Sequence, residues 1–345
     1  MLRREPLSRS PLPLVVDDRL EVARAYAPYV YHEVHEERGR QDIPTRVDFD
    51  GNLRGDDNWD HLPDYELPPA LYYAVLETET HWFIAYHIFH PRDYSCVTLG
   101  VHESHENDGE NLQVVVRKAT GRVELLFTQA HYCGGVYAAP GSGYADGTEG
   151  IRGPLLLVDE AGRPAADGRH AAVFVQAYGH GIYGALDGGA SKVRVEPDGR
   201  AVFERAGLVF RPARPGEGVR EPALDAREPV PYALESTAAK LWPGLRDGDR
   251  AVLGEDGLVD GTLAYEDERV RIGVPRYYEA DRFSGPFGPD RGISPFAVDF
   301  GFSEGTLGAL FFDPARRYAE CLKVPGPWSR AYIRYPFRNK PSPDS

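Results

Sequence analysis

The chain has 345 residues and a formal charge of −14, because 53 Asp and Glu residues outnumber 39 Lys and Arg residues. An acidic chain without a basic block lacks the charge that binds nucleic acid or an anionic membrane surface, so both partners are excluded. Hydrophobic residues form 42% of the sequence, and 37 Gly and 29 Pro residues accompany 20 Tyr residues. This composition excludes a wholly disordered chain and a bundle of long helices, and it favours short strands joined by turns.

Residues 1–16 predict a flexible N-terminal arm. Prolines and Arg9 interrupt the apolar run that a signal peptide requires. The sequence contains no run of about 18 apolar residues, so no transmembrane segment is predicted. We therefore expect a cytoplasmic protein, or a secreted one if the sequence is trimmed or the protein is exported without a leader. The oligomeric state is not predicted.

The cysteines do not indicate a disulfide framework or a metal site. Cys96, Cys133 and Cys321 are too few and too scattered for a disulfide framework or a thiolate zinc site. We expect small buried thiols that behave as hydrophobic residues. A bridge between Cys96 and Cys133 is the alternative left open.

Residues 17–210 predict a β-sandwich preceded by one short helix. Asp17 and Asp18 are N-cap residues ahead of LEVARAYA, and Pro28 ends that helix. Runs rich in Val, Tyr, Phe and Ile follow, separated by turn residues: LYYAVLE, HWFIAYHIF, LQVVVRK, RVELLFTQ, AAVFVQAY, KVRVE and AVFE. Short strands of this kind predict a mainly β fold, an antiparallel sandwich with a few flanking short helices.

The C-terminal third is predicted separately. Residues 211–230 are Pro-rich, charged and aperiodic, which is typical of a linker or a surface crossing. Within residues 232–242 the apolar side chains lie on one helical face, so a helix is expected there. Residues 231–338 form a β-rich C-terminal region, as a domain of its own or as the completion of the sandwich, and residues 339–345 form a polar tail.

Residues 87–110, HIFHPRDYSCVTLGVHESHENDGE, concentrate histidines and carboxylates beside an apolar strand. If a strand begins near residue 105, Asp108 and Glu110 point to the same face at a spacing of ~6.6 Å. His105 has the other parity and would reach the same point from a turn, and a hairpin would bring Asp93 there too. Carboxylates with one imidazole suit a divalent cation, Mg or Ca ahead of Mn or Zn. The alternative is a solvated acidic loop.

Two segments resemble known binding motifs but do not meet their requirements. His102-Glu103-Ser104-His105 is one residue short of the H-E-x-x-H zinc motif. Residues 179–184 spell G-x-G-x-x-G after a strand, but Gly188-Gly189 and a further strand follow instead of the helix that a dinucleotide site requires. These glycines are expected to bend the backbone so that His180 projects from a strand end.

Three separated blocks carry a family resemblance. They are Y-x-x-F-x-P-x-D at Tyr86, Phe89, Pro91 and Asp93; H-x-x-D-x-E at His105, Asp108 and Glu110; and a strand ending in H-G-x-Y at His180, Gly181 and Tyr183. Over about residues 20 to 190 the sequence resembles the necrosis-inducing (NPP1-like or NLP) proteins and, more loosely, the Vps62-like proteins. It departs from the family heptapeptide at Asn107 and Gly109, where the family has His and Trp.

The resemblance implies a β-sandwich with flanking helices and a divalent cation in an acidic cleft. The implied metal ligands are Asp93, His105, Asp108 and Glu110, and His180 would line the same cleft. The cytolytic members of the family are secreted and bind sphingolipid sugar headgroups of plant membranes. The resemblance therefore implies a sugar or lipid headgroup as the ligand and cytolysis as one form of the activity.

We therefore expect a divalent-cation-binding protein whose acidic cleft takes a small polar ligand or a glycolipid headgroup. His180, Tyr183 and Trp59 are the candidate ligand-binding residues, Trp59 because a loop of Asp and Asn around an aromatic ring suits a sugar. The first alternative is a metal-dependent hydrolase in the same cleft, with His180 or His102 as proton carrier and Glu106 as base. The second is a structural cation that only staples loops.

Overall fold

The computed structural model describes residues 19–51, 58–93, 97–98, 101–102, 105–130, 133–198, 200–203, 207–240, 252–253, 259–260, 266–267, 276–277 and 313–336. Within these ranges the chain is mainly β, as the sequence predicts. Its helices are short: Leu20–Tyr26 (α1), a 3-10 turn at Gly39–Asp42, Asn58–His61 (α2), Thr237–Lys240 (α3) and Pro314–Cys321 (α4). None of the described helices is long and apolar enough to cross a membrane.

The strands are numbered here in chain order. They are Tyr29–Glu33 (β1), Ala70–Thr78 (β2), His81–Asp93 (β3), Val97–Thr98 (β4), Val101–His102 (β5), His105–Arg117 (β6), Arg122–Ala130 (β7), Cys133–Ala138 (β8), Ala145–Asp146 (β9), Ile151–Pro154 (β10), Leu157–Val158 (β11) and His170–Val175 (β12). Then come Ile182–Gly184 (β13), Val193–Val195 (β14), Ala201–Phe203 (β15), Gly207–Pro212 (β16), Val230–Ser236 (β17), Val252–Leu253 (β18), Val259–Asp260 (β19), Glu266–Asp267 (β20), Arg276–Tyr277 (β21), Leu322–Lys323 (β22) and Tyr332–Arg334 (β23).

One mixed sheet organises the chain. Its strand order is β10-β8-β7-β6-β3-β2-β17-β16-β1-β12-β11, and it curls into a half-barrel. Neighbours joined by short turns, such as β2 with β3 and β6 with β7, are antiparallel. The pairs β1 with β12, β16 with β17 and β17 with β2 are parallel, because long crossings return each partner in the same direction. The expected antiparallel sandwich is thereby corrected to a curled mixed sheet.

The curl gives the sheet an inner and an outer core. Along β3, Ile84 belongs to the inner cluster and Phe83 to the outer one, as strand alternation requires. The inner cluster joins distant strands, since Leu126 of β7 packs in the same cluster as Val173 of β12. On the outer face, Tyr318 of α4 stacks on Phe83 with ring centroids 6.3 Å apart. Both faces of the central strands are therefore buried, which keeps their polar residues away from water.

Residues 230–240 correct a second expectation. The helix predicted over 232–242 is a strand through Ser236, and only Thr237–Lys240 is helical; residues 241 and 242 lie outside the described ranges. Parallel pairing with β2 supplies the backbone hydrogen bonds that a helix would have supplied, and Tyr232 is fully buried. Tertiary pairing therefore overrides the helical periodicity. This strand lies in the middle of the sheet, between β16 and β2; the predicted domain boundaries themselves stay a prediction.

The cysteine expectation is confirmed where it can be examined. Cys321, at the end of α4, is a buried thiol that is 3% exposed. Cys96 and the side chain of Cys133 lie outside the described part of the chain, so the alternative of a bridge between them stays a prediction.

Candidate functional site

The long antiparallel pair of β3 and β6 sets the frame of the site. Its register places His90 opposite Asp108, Ile88 opposite Glu110, and Asp93 opposite His105. Asp108 and Glu110 therefore share one face of β6, the face that carries the inner core. Asp93 has the other parity on β3, so regular alternation directs it to the opposite face. The backbone brings these positions to one end of the strand pair but divides them between two faces.

All three of the predicted carboxylate ligands are buried. Asp108 and Glu110 are 0% exposed and Asp93 is 1% exposed. Removing a carboxylate from water is costly unless hydrogen bonds or opposite charges compensate for the loss. Asp108 obtains this compensation from two donors: the Gly109 N–H donates to Oδ1 at 2.9 Å, and His180 Nδ1 donates to Oδ2 at 2.9 Å.

His180 is clamped between two carboxylates. Its Nδ1 contacts Asp108, and its Nε2 lies 3.2 Å from Asp42 Oδ1, so both ring nitrogens are engaged. Burial by itself would lower the pKa of His180, but the hydrogen bonds to Asp108 and Asp42 raise that pKa to about 9. The imidazole is therefore an internal cation between two anions.

Backbone geometry aims the His180 ring. Tyr178 and His180 both have positive φ angles, 71° and 49°, a region that non-glycine residues seldom adopt. The Gln176 N–H donates to the Gly181 carbonyl at 3.1 Å, which closes the loop between β12 and β13. A Cβ at Gly181 would lie 3.1 Å from Ala130 Cβ, so the glycine permits close packing against β7. The bend that was expected at the glycines is therefore made by Tyr178 and His180, since neither Gly179 nor Gly181 has a positive φ.

Asp42 is the residue that sequence reasoning missed. It ends the 3-10 turn Gly39–Asp42, is 0% exposed, and accepts hydrogen bonds from the N–H of His35 at 2.8 Å and of Tyr178 at 3.1 Å. Burial by itself would raise the pKa of Asp42, but the hydrogen bonds from His180 and His35 hold that pKa below its ordinary value. A single Asp before Ile-Pro carries no motif, so no sequence signal could have identified it.

Two further histidines complete a buried imidazole cluster. The His90 ring stacks on His180 with centroids 3.7 Å apart and planes 12° apart. His32 Nε2 lies 2.9 Å from His90 Nε2, so one of these rings donates to the lone pair of the other. Burial, with the charge of His180, lowers the pKa of His32 to about 4 and that of His90 well below its ordinary value. The cluster therefore holds one charged imidazole and two neutral ones.

A surface groove adjoins this cluster. It has a volume of about 590 Å³ and is lined by residues 33–37, which begin with the last residue of β1, and by residues 177–178. The rings of His35 and Tyr178 lie 4.5 Å apart in its wall. Both residues donate their backbone N–H to Asp42, so the buried carboxylate also holds the walls of the groove.

The remaining candidate site residues lie either away from His180 or outside the described part of the structure. Tyr183 lies on the outer side of β13, where its ring packs against Phe174 and under the Arg152 guanidinium, away from His180. The side chains of Trp59, His102, His105 and Glu106 lie outside the described part of the structure. Among the side chains that are described, no group of three His, Cys, Asp or Glu is arranged to hold a metal ion. The donor types fit a hard cation, but the described geometry does not gather them.

No family model and no curated protein matches this sequence. Solved structures to which the chain is similar include necrosis-inducing proteins, the family that the three sequence blocks resemble. One, described as a toxin fold for microbial attack and plant defense, is 16% identical with a TM-score of 0.28, over 47% of this chain and 66% of that chain. The matched region thus spans just under two thirds of that relative.

Two further neighbours have the same level of similarity. NLPPya in complex with glucosamine is 17% identical with a TM-score of 0.29, over 50% of this chain and 71% of its own. Necrosis and Ethylene inducing Protein 2, from the causal agent of cocoa's Witches Broom disease, is 12% identical with a TM-score of 0.27, over 69% of this chain and 78% of its own.

Proposed function

We propose that the chain binds a sugar or glycolipid headgroup at the acidic end of β3 and β6, with a divalent cation, Mg or Ca, as its cofactor. The observation that carries the proposal is the burial of Asp108 and Glu110 on one face of β6, with Asp93 buried on the other face at the same end of the strand pair. Asp108 and Glu110 are buried on the same face of β6, where a bound cation would offset their mutual repulsion. With Asp93 and His105, these residues would supply the donor types that suit a hard cation, and the cation would bind hydroxyl oxygens of the headgroup.

The adjoining groove supports a polar ligand. Glu33, His35 and Tyr178 line it, and they offer hydrogen-bond acceptors and aromatic faces of the kind that sugars use. Asp42 links this groove to the buried cluster through its contacts with His35, Tyr178 and His180. A headgroup in the groove would thus lie beside the carboxylate end of the strand pair.

The same geometry disfavours His180 as the proton carrier of a hydrolase. A general acid or base needs a ring nitrogen within hydrogen-bond reach of the reacting group. Both nitrogens of His180 contact carboxylates of the protein, and the residue is 0% exposed. Binding is therefore proposed ahead of turnover.

The test is elemental analysis of the purified protein, followed by calorimetric titration with Ca, Mg, Mn and Zn. We expect one divalent cation per chain and a rise in melting temperature, since a ligand at 100 times its Kd stabilises the folded state by about 2.7 kcal/mol. Asp108→Asn and Glu110→Gln should weaken binding at least tenfold. Glu124→Gln is the matched control, because Glu124 is also a buried carboxylate but pairs with Arg117 and His81.

The ligand part of the proposal has its own measurement. Glucosamine, mannose and lactose are titrated into the cation-loaded protein, and backbone amide shifts of residues 33–37 and 177–178 are followed by NMR. Release of dye from vesicles that contain glycosylated sphingolipid tests the cytolytic form. Absence of a divalent cation in the wild type, with no change in melting on addition of Ca or Mg, would overturn the proposal.

A further inference from the structure

We propose that the groove between residues 33–37 and 177–178 is itself a sugar site, which holds an uncharged sugar through the ring N–H of His35 and the ring of Tyr178, without a metal ion. The inference rests on the proposed sugar binding and deepens it, because it names the contacts and the charge class of the sugar. The groove has a volume of about 590 Å³, which is typical of small-molecule sites. Its lining residues are distinct from the implied metal ligands.

Hydrogen bonds hold the two walls of the groove together. Asp42 accepts the His35 N–H with one carboxylate oxygen at 2.8 Å and the Tyr178 N–H with the other at 3.1 Å. Glu33 Oε2 accepts the Ala177 N–H at 3.4 Å, which adds a second link between the walls. A site whose walls are fixed before the ligand arrives loses less conformational freedom on binding. The groove is therefore preformed.

The His35 ring presents a hydrogen-bond donor in this groove. The Glu37 N–H lies 3.2 Å from Nδ1, and a backbone N–H can only donate, so Nδ1 is the acceptor. The proton of the neutral imidazole is therefore on Nε2. Within the described part of the chain no residue accepts a hydrogen bond from this nitrogen, and His35 is partly exposed. Its N–H is thus available to a hydroxyl oxygen of a ligand.

The rings and carboxylates of the groove define the kind of sugar that fits. The His35 and Tyr178 rings lie 4.5 Å apart with planes 52° apart, and such aromatic faces suit the apolar face of a sugar ring. Glu33, Glu36 and Glu37 also line the groove, whereas no Lys or Arg is among its described lining residues. Carboxylates accept hydrogen bonds from sugar hydroxyls and repel a sugar that carries a carboxylate of its own. The groove therefore favours an uncharged sugar over an acidic one.

The first test compares glucose with glucuronate, two sugars that differ only in the carboxylate at C6. Each is titrated into the wild type in EDTA, so that no metal ion takes part, and the amide shifts of residues 33–37 and 177–178 are followed by NMR. We expect glucose to bind and glucuronate to bind at least about tenfold more weakly, with a smaller difference at high salt. Equal affinities, or tighter binding of glucuronate, would overturn the inference.

Two substitutions separate the donor from the ring. His35→Phe keeps a ring without the N–H, and His35→Gln keeps an N–H near the position of Nε2 without the ring. A donor role predicts that His35→Phe lowers glucose affinity about tenfold and that His35→Gln stays within about threefold of the wild type. Tyr178→Asn, which removes the ring but tolerates a positive φ, should also weaken binding, and Tyr65→Phe, at a 40% exposed position, should not. Equal losses in the two His35 variants, the reverse order, or an unchanged affinity in Tyr178→Asn would contradict the inference.

Repeating the wild-type titrations with calcium separates failure of the inference from failure of the proposed function. If glucose binds only with calcium, the contacts of the groove are insufficient, and the inference is overturned while the proposed function stands. If glucose, mannose and glucosamine bind in neither condition, the sugar binding of the proposed function fails and the inference fails with it. Nitrogen NMR of the His35 ring in mild alkali needs no ligand: we expect the proton on Nε2, and a proton on Nδ1 would overturn the inference.

Discussion

The buried His32 ring should make the stability of the protein fall in mild acid. Burial and the charge of His180 keep the pKa of His32 in the folded state at about 4, against 6.5 for an ordinary histidine. The titratable groups that face the ring are His90, which is in contact, and His180 and Asp42. Between pH 6.5 and 4 the unfolded chain binds a proton at this position and the folded chain does not. Stability from this group is therefore fully present above pH 6.5 and is lost as pH falls through 4.

The size of the effect follows from the interval between the two pKa values. A fall from 6.5 to about 4, at about 1.4 kcal/mol for each pH unit, corresponds to about 3 kcal/mol. His32→Gln removes the titrating group and leaves a neutral side chain beside His90. We expect the variant to be less stable than the wild type at pH 7, and the difference between them to shrink by about 3 kcal/mol at pH 4.

The assay is urea unfolding at pH 7, 6, 5 and 4, followed by both fluorescence and circular dichroism to verify a two-state transition. Val173→Ala is the control, because Val173 is a fully buried inner-core residue that cannot titrate. Its difference from the wild type should be the same at every pH. If the gap between the wild type and His32→Gln is also constant from pH 7 to 4, the buried neutral imidazole is refuted.

Two further predictions concern packing and buried hydrogen bonds. Gly168→Ala should cost about 1–3 kcal/mol of unfolding free energy, because its Cβ would lie 2.5 Å from the Val158 carbonyl oxygen. Gly188→Ala is the control: it has open space around it and should change the unfolding free energy by less than about 1 kcal/mol. Equal losses for the two variants in urea unfolding would contradict this prediction. Tyr232→Phe should cost about 1–2 kcal/mol because it leaves the buried Pro28 carbonyl without the hydroxyl at 2.8 Å, and Tyr65→Phe, at a 40% exposed position, serves as the control.

The sequence predicts the strands well because their signals are local. HWFIAYHIF lies within β3, RVELLFTQ within β7 and AAVFV within β12. Alternation along a strand is a property of the backbone alone, so the shared face of Asp108 and Glu110 also follows from spacing. These predictions required no knowledge of which strand pairs with which.

The curl and the mixed topology could not be predicted in the same way. Strand β1 pairs with β12 in parallel, Tyr29 opposite Ala172, across more than 140 residues of chain. Strand β17 pairs with β2 although its sequence has helical periodicity. Such pairings depend on how the whole sheet closes, and no local pattern records them. The error over residues 232–242 and the error about an antiparallel sandwich have this single cause.

Asp42 marks the same limit at the site. Asp108 and Glu110 could be found because they lie two residues apart on one strand. Asp42 lies far from them in the sequence and is linked to Asp108 through His180, which contacts both carboxylates. Acidic residues outnumber basic ones by 14 in the chain, and most acidic side chains need no explanation beyond solvation. The exceptions are carboxylates such as Asp42 and Asp108, which are 0% exposed and share one imidazolium. An unpaired buried charge is costly. Buried carboxylates that pair with one imidazolium are therefore better candidates for functional residues than carboxylates that are only close together in the sequence.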